Sequence, residues 1–202
     1  MTRLISDTSV VRNFSILGWG QHLAAVSGGK IVVVHGVLGL DADESGELDV
    51  IAKALGDEAN EAPGSRSSTL ALMAQHNLDA LLLRRGELFE ILVPTEEEVH
   101  LAVRLQDRGE RDWRAEMGMR ARRLDSGEAI SIAAAVGRQT PFASDDGSGR
   151  TAYLALGGSD FFWSLDLMQR CIEEGLLDEG EARDGYERLR NDYRFWGPPW
   201  NS

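Results

Sequence analysis

The chain predicts a single α/β domain built around a central, mostly parallel sheet of about four strands flanked by helices. Three observations lead there. Strand-like runs alternate with helix-like periodicity along the chain. Lys30-Ile31-Val32-Val33-Val34 is a continuous β-branched run of the kind buried on both faces of a parallel sheet. Strand, long crossover and strand follow one another from the first residues, as in a βαβ unit.

Taken in order, Leu4 to Ser6 is a short strand, and Val10 to Val26 carries helical apolar spacing through Val10, Phe14, Leu17, Leu23 and Val26. Ser27-Gly28-Gly29 stops that helix before the β-branched strand. Val37 to Leu55 is helix-like and acidic, with Asp41, Asp43, Glu44, Glu47 and Asp49. Gly56 to Arg66, containing Asn60, Pro63 and Gly64, reads as an exposed loop. Leu70 to Leu83 is a further helix. Phe89 to Val93 is a third strand closed by Pro94, and Thr95-x-x-Glu98 gives a capping-box start to the next helix. Arg104 to Arg123 is charged enough to be an exposed helical hairpin. Asp125-Ser126-Gly127-Glu128 opens an alanine-rich helix, and Thr140 to Ser144 is a fourth strand that runs into Asp145-Asp146. Helices are predicted over Ser148 to Leu156, Phe162 to Glu174 and Glu179 to Tyr193, with Phe161-Phe162-Trp163 packed in the core. An aromatic tail from Phe195 to Trp200 either docks on its own domain or lines a partner interface. Domain boundaries follow: one domain over 1–194, with an atypical insertion at 56–88, and a tail over 195–202.

Composition narrows the class. A chain of 202 residues buries roughly 70% of its unfolded surface and needs no covalent staple. Its single cysteine, Cys171, excludes an internal disulfide and favours a reducing compartment. The chain enters a strand at once, without a basic and apolar leader, and no run approaches the roughly 20 apolar residues of a spanning helix. The expectation is a cytoplasmic protein without a membrane partner. A net charge of −12 and a pI near 4.8 oppose broad binding to a phosphate backbone. Both remain compatible with an enzyme that neutralises one phosphate through a metal ion, or with a partner carrying basic segments.

The acids concentrate the interest. Sites in open parallel sheets lie beyond the carboxyl ends of the strands. Asp7 and Asp145-Asp146 fall there, and Glu128 begins the helix before the fourth strand. Each has a purely structural reading: Asp7 with Thr8-Ser9 as a helix cap, Asp125 and Glu128 as a capping box, Asp145-Asp146-Gly147 as a turn. Gathered at one edge, the same acids would repel and require a cation. All-oxygen donors suit Mg²⁺ or Mn²⁺, which activate water and offset charge on a phosphodiester. The histidines His22, His35, His76 and His100 lack metal-ligand spacing, although His35 directly follows the second strand. Gly147-Ser148-Gly149 is a short phosphate-cradle candidate without a Walker-type lysine. No nucleophile elbow or C-x-x-C pair occurs.

On these residues the chain resembles the PIN-domain family, especially the VapC-like ribonuclease toxins and related PIN-like proteins. Ile5-Ser6-Asp7-Thr8-Ser9-Val10 is similar to the family's first acidic motif. Leu124-Asp125-Ser126-Gly127-Glu128-Ala129-Ile130 is similar to the start of its third-acid helix. Phe142-Ala143-Ser144-Asp145-Asp146 with Arg150 resembles the fourth-strand acid pair and a helix arginine. Leu154-Ala155-Leu156-Gly157 and Glu174-Gly175-Leu176-Leu177 fit its later helices, and the likeness is weakest between Gly56 and Leu88.

The resemblance implies a PIN-like three-layer sandwich. It also implies an Mg²⁺- or Mn²⁺-dependent endoribonuclease, the toxin of a toxin–antitoxin pair, with RNA as substrate, an antitoxin protein as partner and a homodimeric state. Asp7, Glu128 and Asp145 would be the metal-binding catalytic acids, with Asp146 a further ligand. Thr8 and Ser9 would bind substrate or a metal-bound water. Arg150 would contact phosphate or pair with a neighbouring acid. The family's second acid is expected within His35 to Glu44, where Gly39 or Leu40 stands instead. Asp41 would replace it after a one-residue shift, which rotates a helix position by about 100°. Asp43 and Glu44 lie just beyond, and the whole run also reads as a solvated face. A PIN-like binding or regulatory protein that lost its second acid is the alternative, and a small-nucleotide phosphohydrolase is a third reading.

Overall fold

Ile31–Val34, all four residues buried, form strand β2, which lies inside the sheet as a β-branched run should. The computed structural model describes residues 3–39, 44–118, 124–193, 195 and 197–200. β2 is flanked by β1 (Ile5–Ser6) and β3 (Phe89–Leu92), and β4 (Phe142–Ala143) and β5 (Phe161–Phe162) extend the sheet beyond β1. The order among the described residues is β3-β2-β1-β4-β5, and every pairing is parallel. Ile5 stands opposite both Val32 and Phe142, which centres the sheet on the first strand. The α/β class and parallel sheet match the sequence, with one strand more than predicted. The addition is β5, where Phe161 and Phe162 pair with Phe142 and Ala143 instead of entering the next helix.

Helices fill every connection. α1 (Thr8–Ile16) and α2 (Gly20–Val26) join β1 to β2, and α3 (His35–Leu38), α4 (Glu47–Glu61), α5 (Arg66–Leu82) and α6 (Arg85–Leu88) join β2 to β3. α7 (Glu96–Gln106), α8 (Arg111–Glu116) and α9 (Ser126–Gly137) lead to β4. α10 (Gly147–Ala155) leads to β5, and α11 (Ser164–Glu173) and α12 (Glu179–Asp192) follow. They gather in two groups flanking the sheet. α1 packs on α5, α2 and α11, with α12 against α11, while α9 packs between α7 and α10. No helix among the described residues is long and apolar enough to cross a membrane.

Several local expectations change. The helix predicted over Val10 to Val26 is broken at Gly18, whose φ of +77° closes α1 in the left-handed manner open to glycine. Asn77 Nδ2 donates to the Ile16 carbonyl at 2.9 Å and so ties that end to α5. The helix predicted over Val37 to Leu55 is two, α3 and α4, because Gly39 turns at φ +71° after one helical turn. Gly56 to Arg66, predicted as a loop, is helical as far as Glu61, and only 62–65 connect α4 to α5. Gly56 lies inside α4, where a Cβ would approach the end of the Gln75 side chain on α5 to 2.8 Å, a mark of how closely the two helices pack. The 56–88 segment is mostly helical, and its α5 packs on α1. The charged hairpin expected over Arg104 to Arg123 is the end of α7, a 3₁₀ turn at Arg108–Glu110, and α8. Arg114 is buried there and donates to the Leu105 carbonyl at 2.8 Å, so this corner is packed; residues 119–123 lie outside the described ones. The aromatic tail docks on its own domain. Tyr186 of α12 donates to the Pro198 carbonyl at 2.5 Å and its ring contacts those of Phe195 and Trp200.

Candidate functional site

From β1 the chain steps through β2 to β3 on one side, then returns to place β4 and β5 on the other. The order therefore reverses between β1 and β4, where open parallel sheets form a crevice beyond their carboxyl ends. A cleft of about 430 Å³ opens there. Asp7, Thr8, Ser9 and Arg12 line it from the β1–α1 junction, Glu47 from the first turn of α4, Asp125 and Glu128 from the start of α9, and Asp146 from the start of α10. Five carboxylates from four places in the chain thus border one volume.

Asp7 occupies the position before α1, yet its side chain does not cap that helix. Oδ2 accepts instead from Ser9 Oγ at 3.0 Å and Ser144 Oγ at 3.1 Å. Burial pushes its carboxyl up to about 6, against the pull of these hydroxyls. Glu47 accepts a hydrogen bond from Thr8 Oγ1. Its carboxyl is raised by burial and, less, by the charge of Asp125. A Cβ on Gly127 would fall 2.7 Å from Glu47 Cδ, so this glycine makes room for the glutamate head. Gly149 does the same for Glu128, whose Oε1 would collide with a Cβ there. Glu128 is 5% exposed, and its backbone N–H donates to Asp125 Oδ1 at 2.7 Å, which caps α9. Asp146 caps α10 by accepting from Ser148 N at 2.7 Å while bordering the cleft.

Of the residues expected from sequence, Asp7, Glu128, Asp146, Thr8 and Ser9 come together. Asp145 does not line the cleft. Its Oδ1 accepts from Ser164 N at 2.9 Å, and its Oδ2 from Asn13 Nδ2 at 2.8 Å and from Ser164 Oγ. The two neighbours part here: Asp145 braces α11 and α1, while Asp146 meets the cleft. The hydroxyls of Thr8 and Ser9 are engaged in positioning: Thr8 holds Glu47, and Ser9 donates to Asp7 and accepts from Asp145 N at 3.1 Å. Arg150 is exposed on α10, borders no part of the cleft and forms no ion pair among the described residues. Asp41 and Asp43 lie outside the described residues, and Glu44 and His35 do not line the cleft.

Beyond the quoted acidic motifs, two charged residues that line the cleft are not among those expected from sequence. Glu47 has a legible signal: it follows Ser45-Gly46 and begins the apolar period of Leu48, Ala52 and Leu55. Arg12 has one too, as the single charge inside the apolar stretch from Val10 to Ile16.

Among the described residues no three histidine, cysteine, aspartate or glutamate side chains form a ready-made metal-holding group. What the cleft offers is a donor set. Asp7, Glu47, Glu128 and Asp146 present only hard oxygens, and burial disfavours the bare charge of the first two. That chemistry fits Mg²⁺ or Mn²⁺. Comparison with protein-family models, curated proteins and solved structures finds no match for this chain.

Proposed function

We propose that this chain is a PIN-like three-layer sandwich acting as an Mg²⁺- or Mn²⁺-dependent ribonuclease on RNA phosphodiesters. One observation carries the reading: Asp7, Glu47, Glu128 and Asp146 border one cleft at the strand-order reversal. Such a donor set would hold a divalent cation, which supplies an activated water and offsets charge on the phosphate.

The protein's own residues act by positioning. Ser9 and Ser144 hold the Asp7 carboxylate, Thr8 holds Glu47, and Gly127 and Gly149 leave space for two glutamate heads. Asp145 braces the turn from behind, joining the end of β4 to α1 and α11. Preorganised acids of this kind lose little by reorganisation when the ion and phosphate arrive. The competing reading is a binding module with a missing second acid; Glu47 at the border of the cleft supports the ribonuclease over it, because it would stand in the second acid's place. On the ribonuclease reading the protein partner is an antitoxin with basic segments, in keeping with the net charge of −12.

The test is cleavage of a mixed single-stranded RNA pool with Mn²⁺ by wild type, Asp7→Asn and Glu47→Gln. The reading predicts Mn²⁺-dependent shortening by wild type alone. No cleavage by wild type, or equal cleavage by all three, contradicts it.

A further inference from the structure

Arg12 stands between two clefts. It borders the carboxylate cleft, and it borders a larger one of about 710 Å³ that Arg66, Ser67, Asn191, Asp192 and Tyr193 help to line. Its neighbours on α1, Val11, Asn13 and Phe14, are buried, so the helix carries its guanidinium partly inside the protein. Among the described residues this guanidinium has no hydrogen bond and no ion pair, although carboxylates share its cleft. Burial lowers its pKa with no opposing influence from an acid. A charge drawn out of water without a counter-ion is costly and is expected where a ligand brings the missing anion.

Most other polar groups that line the larger cleft are already engaged, Asn191 apart. Arg66 pairs with Asp192 at 2.7 Å, Ser67 Oγ donates to Glu58 at 2.8 Å, and Tyr193 donates to the Leu70 carbonyl at 3.2 Å. Arg12 is the cation left over. A guanidinium fork matches a phosphate with two parallel N–H donors.

We propose that Arg12 forms an anion subsite, opening onto the 710 Å³ cleft, that receives a phosphate of the RNA strand next to the phosphodiester held over the carboxylates. The identity of the anion rests on the ribonuclease reading. The position of the subsite rests on Arg12 alone. Because Arg12 borders both clefts, it sets the direction in which the strand leaves the acidic cleft, and the larger cleft receives the flanking nucleotide. This arrangement also reconciles an acidic protein with a polyanionic substrate: binding depends on one inward cation and the metal, not on a basic surface.

The test is fluorescence anisotropy with a labelled single-stranded RNA hexamer in Mn²⁺, its integrity checked on a gel, over a range of salt. Wild type is compared with Arg12→Gln, Arg12→Lys and Lys30→Gln. Loss of one charge-assisted phosphate contact predicts binding weaker by about tenfold or more for Arg12→Gln. The slope of log affinity against log salt falls by about 0.7 when one single-strand phosphate contact is lost. Arg12→Lys recovers part of the affinity, and Lys30→Gln, at an exposed lysine before β2 that lines neither cleft, changes little. Arg12→Gln melts no lower than wild type and keeps the Mn²⁺-induced thermal shift, which shows the carboxylate cleft intact. Unchanged affinity and salt slope in Arg12→Gln, with the Mn²⁺ shift kept, overturns the subsite and leaves the ribonuclease reading standing. A large fall in its melting temperature makes Arg12 structural and also overturns the subsite. Absence of both RNA binding and Mn²⁺ shift in wild type overturns the two together.

Discussion

The carboxylate of Glu47 lies against the bare Cα of Gly127, where a Cβ would come within 2.7 Å of Glu47 Cδ and 2.8 Å of its Oε2. A helix start from one crossover is thereby set against a helix start from another. The missing side chain is what lets two glutamates border one cleft. Gly127→Ala should displace Glu47 without removing any acid. Alanine favours the helix by up to about 1 kcal/mol, which offsets the crowding in the cation-free protein. The expected result is a melting temperature near wild type in EDTA and a Mn²⁺ shift reduced to less than half. Differential scanning fluorimetry at a fixed Mn²⁺ concentration checks both.

Asp145 and Asp146 should separate cleanly. Asp145→Ala leaves Ser164 N and Asn13 Nδ2 without their acceptor, and buried donors stranded in this way cost about 2–4 kcal/mol. The folded fraction keeps its Mn²⁺ response. Asp146→Asn keeps a competent N-cap and loses well under 1 kcal/mol. Its Mn²⁺ response weakens because a charged ligand of the cleft is gone. Urea melts with and without Mn²⁺ distinguish the two patterns.

Asp7 links pH to stability with a definite sign. Its carboxyl stands at about 6 in the fold against an ordinary 3.8, so between these values the folded state holds a proton that the unfolded chain has released. Without a cation, stability therefore falls as pH rises from about 4 to 6 and stays lower above. At about 1.4 kcal/mol per pH unit, the span from 3.8 to about 6 is worth about 3 kcal/mol at most. Asp7→Asn should remove Asp7's share of this fall, leaving those of Glu47 and Asp145, whose carboxyls burial also raises, and be more stable than wild type in EDTA at pH 7.5. Mn²⁺ requires the ionised carboxylate, so its affinity should rise through pH 6 in wild type. Chemical denaturation at pH 4.5 and 7.5 tests the first statement, and Mn²⁺ titration at both pH values the second.

The C-terminal aromatics should report on folding alone. Tyr186→Phe removes the donor to Pro198 and should cost about 1 kcal/mol, and Trp200→Ala about 2–4 kcal/mol, through lost packing on α12. Neither variant should alter the Mn²⁺ shift, and thermal melts with and without the ion check this.

The sheet was legible in the sequence wherever a strand carried its own signal. The run Ile31–Val34 announces a buried parallel strand by composition, and Phe89–Leu92 is bounded by Pro94. Phe161–Phe162 has no such signal, because two residues at the edge of a sheet are too short for periodicity and their pairing is set by β4. The same limit governs the site. Asp7 and Glu128 stand at element boundaries that residue types mark. Glu47 is hidden among the acids of Asp41 to Asp49, because Gly39 turns the chain away after a single helical turn and delays α4 to Glu47. Which member of Asp145-Asp146 meets the cleft depends on Ser164 and Asn13, residues far away in the chain that claim the first of the pair. Arg12 shows its charge in the sequence, but only the packing of α1 shows that no acid among the described residues answers it.

Isothermal titration of Mn²⁺ into wild type and Glu47→Gln at pH 7.5 decides whether the cleft holds a cation through its carboxylates. The carboxylate-cleft account predicts saturable binding to wild type, and binding weaker by at least about tenfold when Glu47 loses its charge, the loss of a 1.4 kcal/mol contribution or more. Saturable binding of equal strength to both proteins, or none to either, would contradict it.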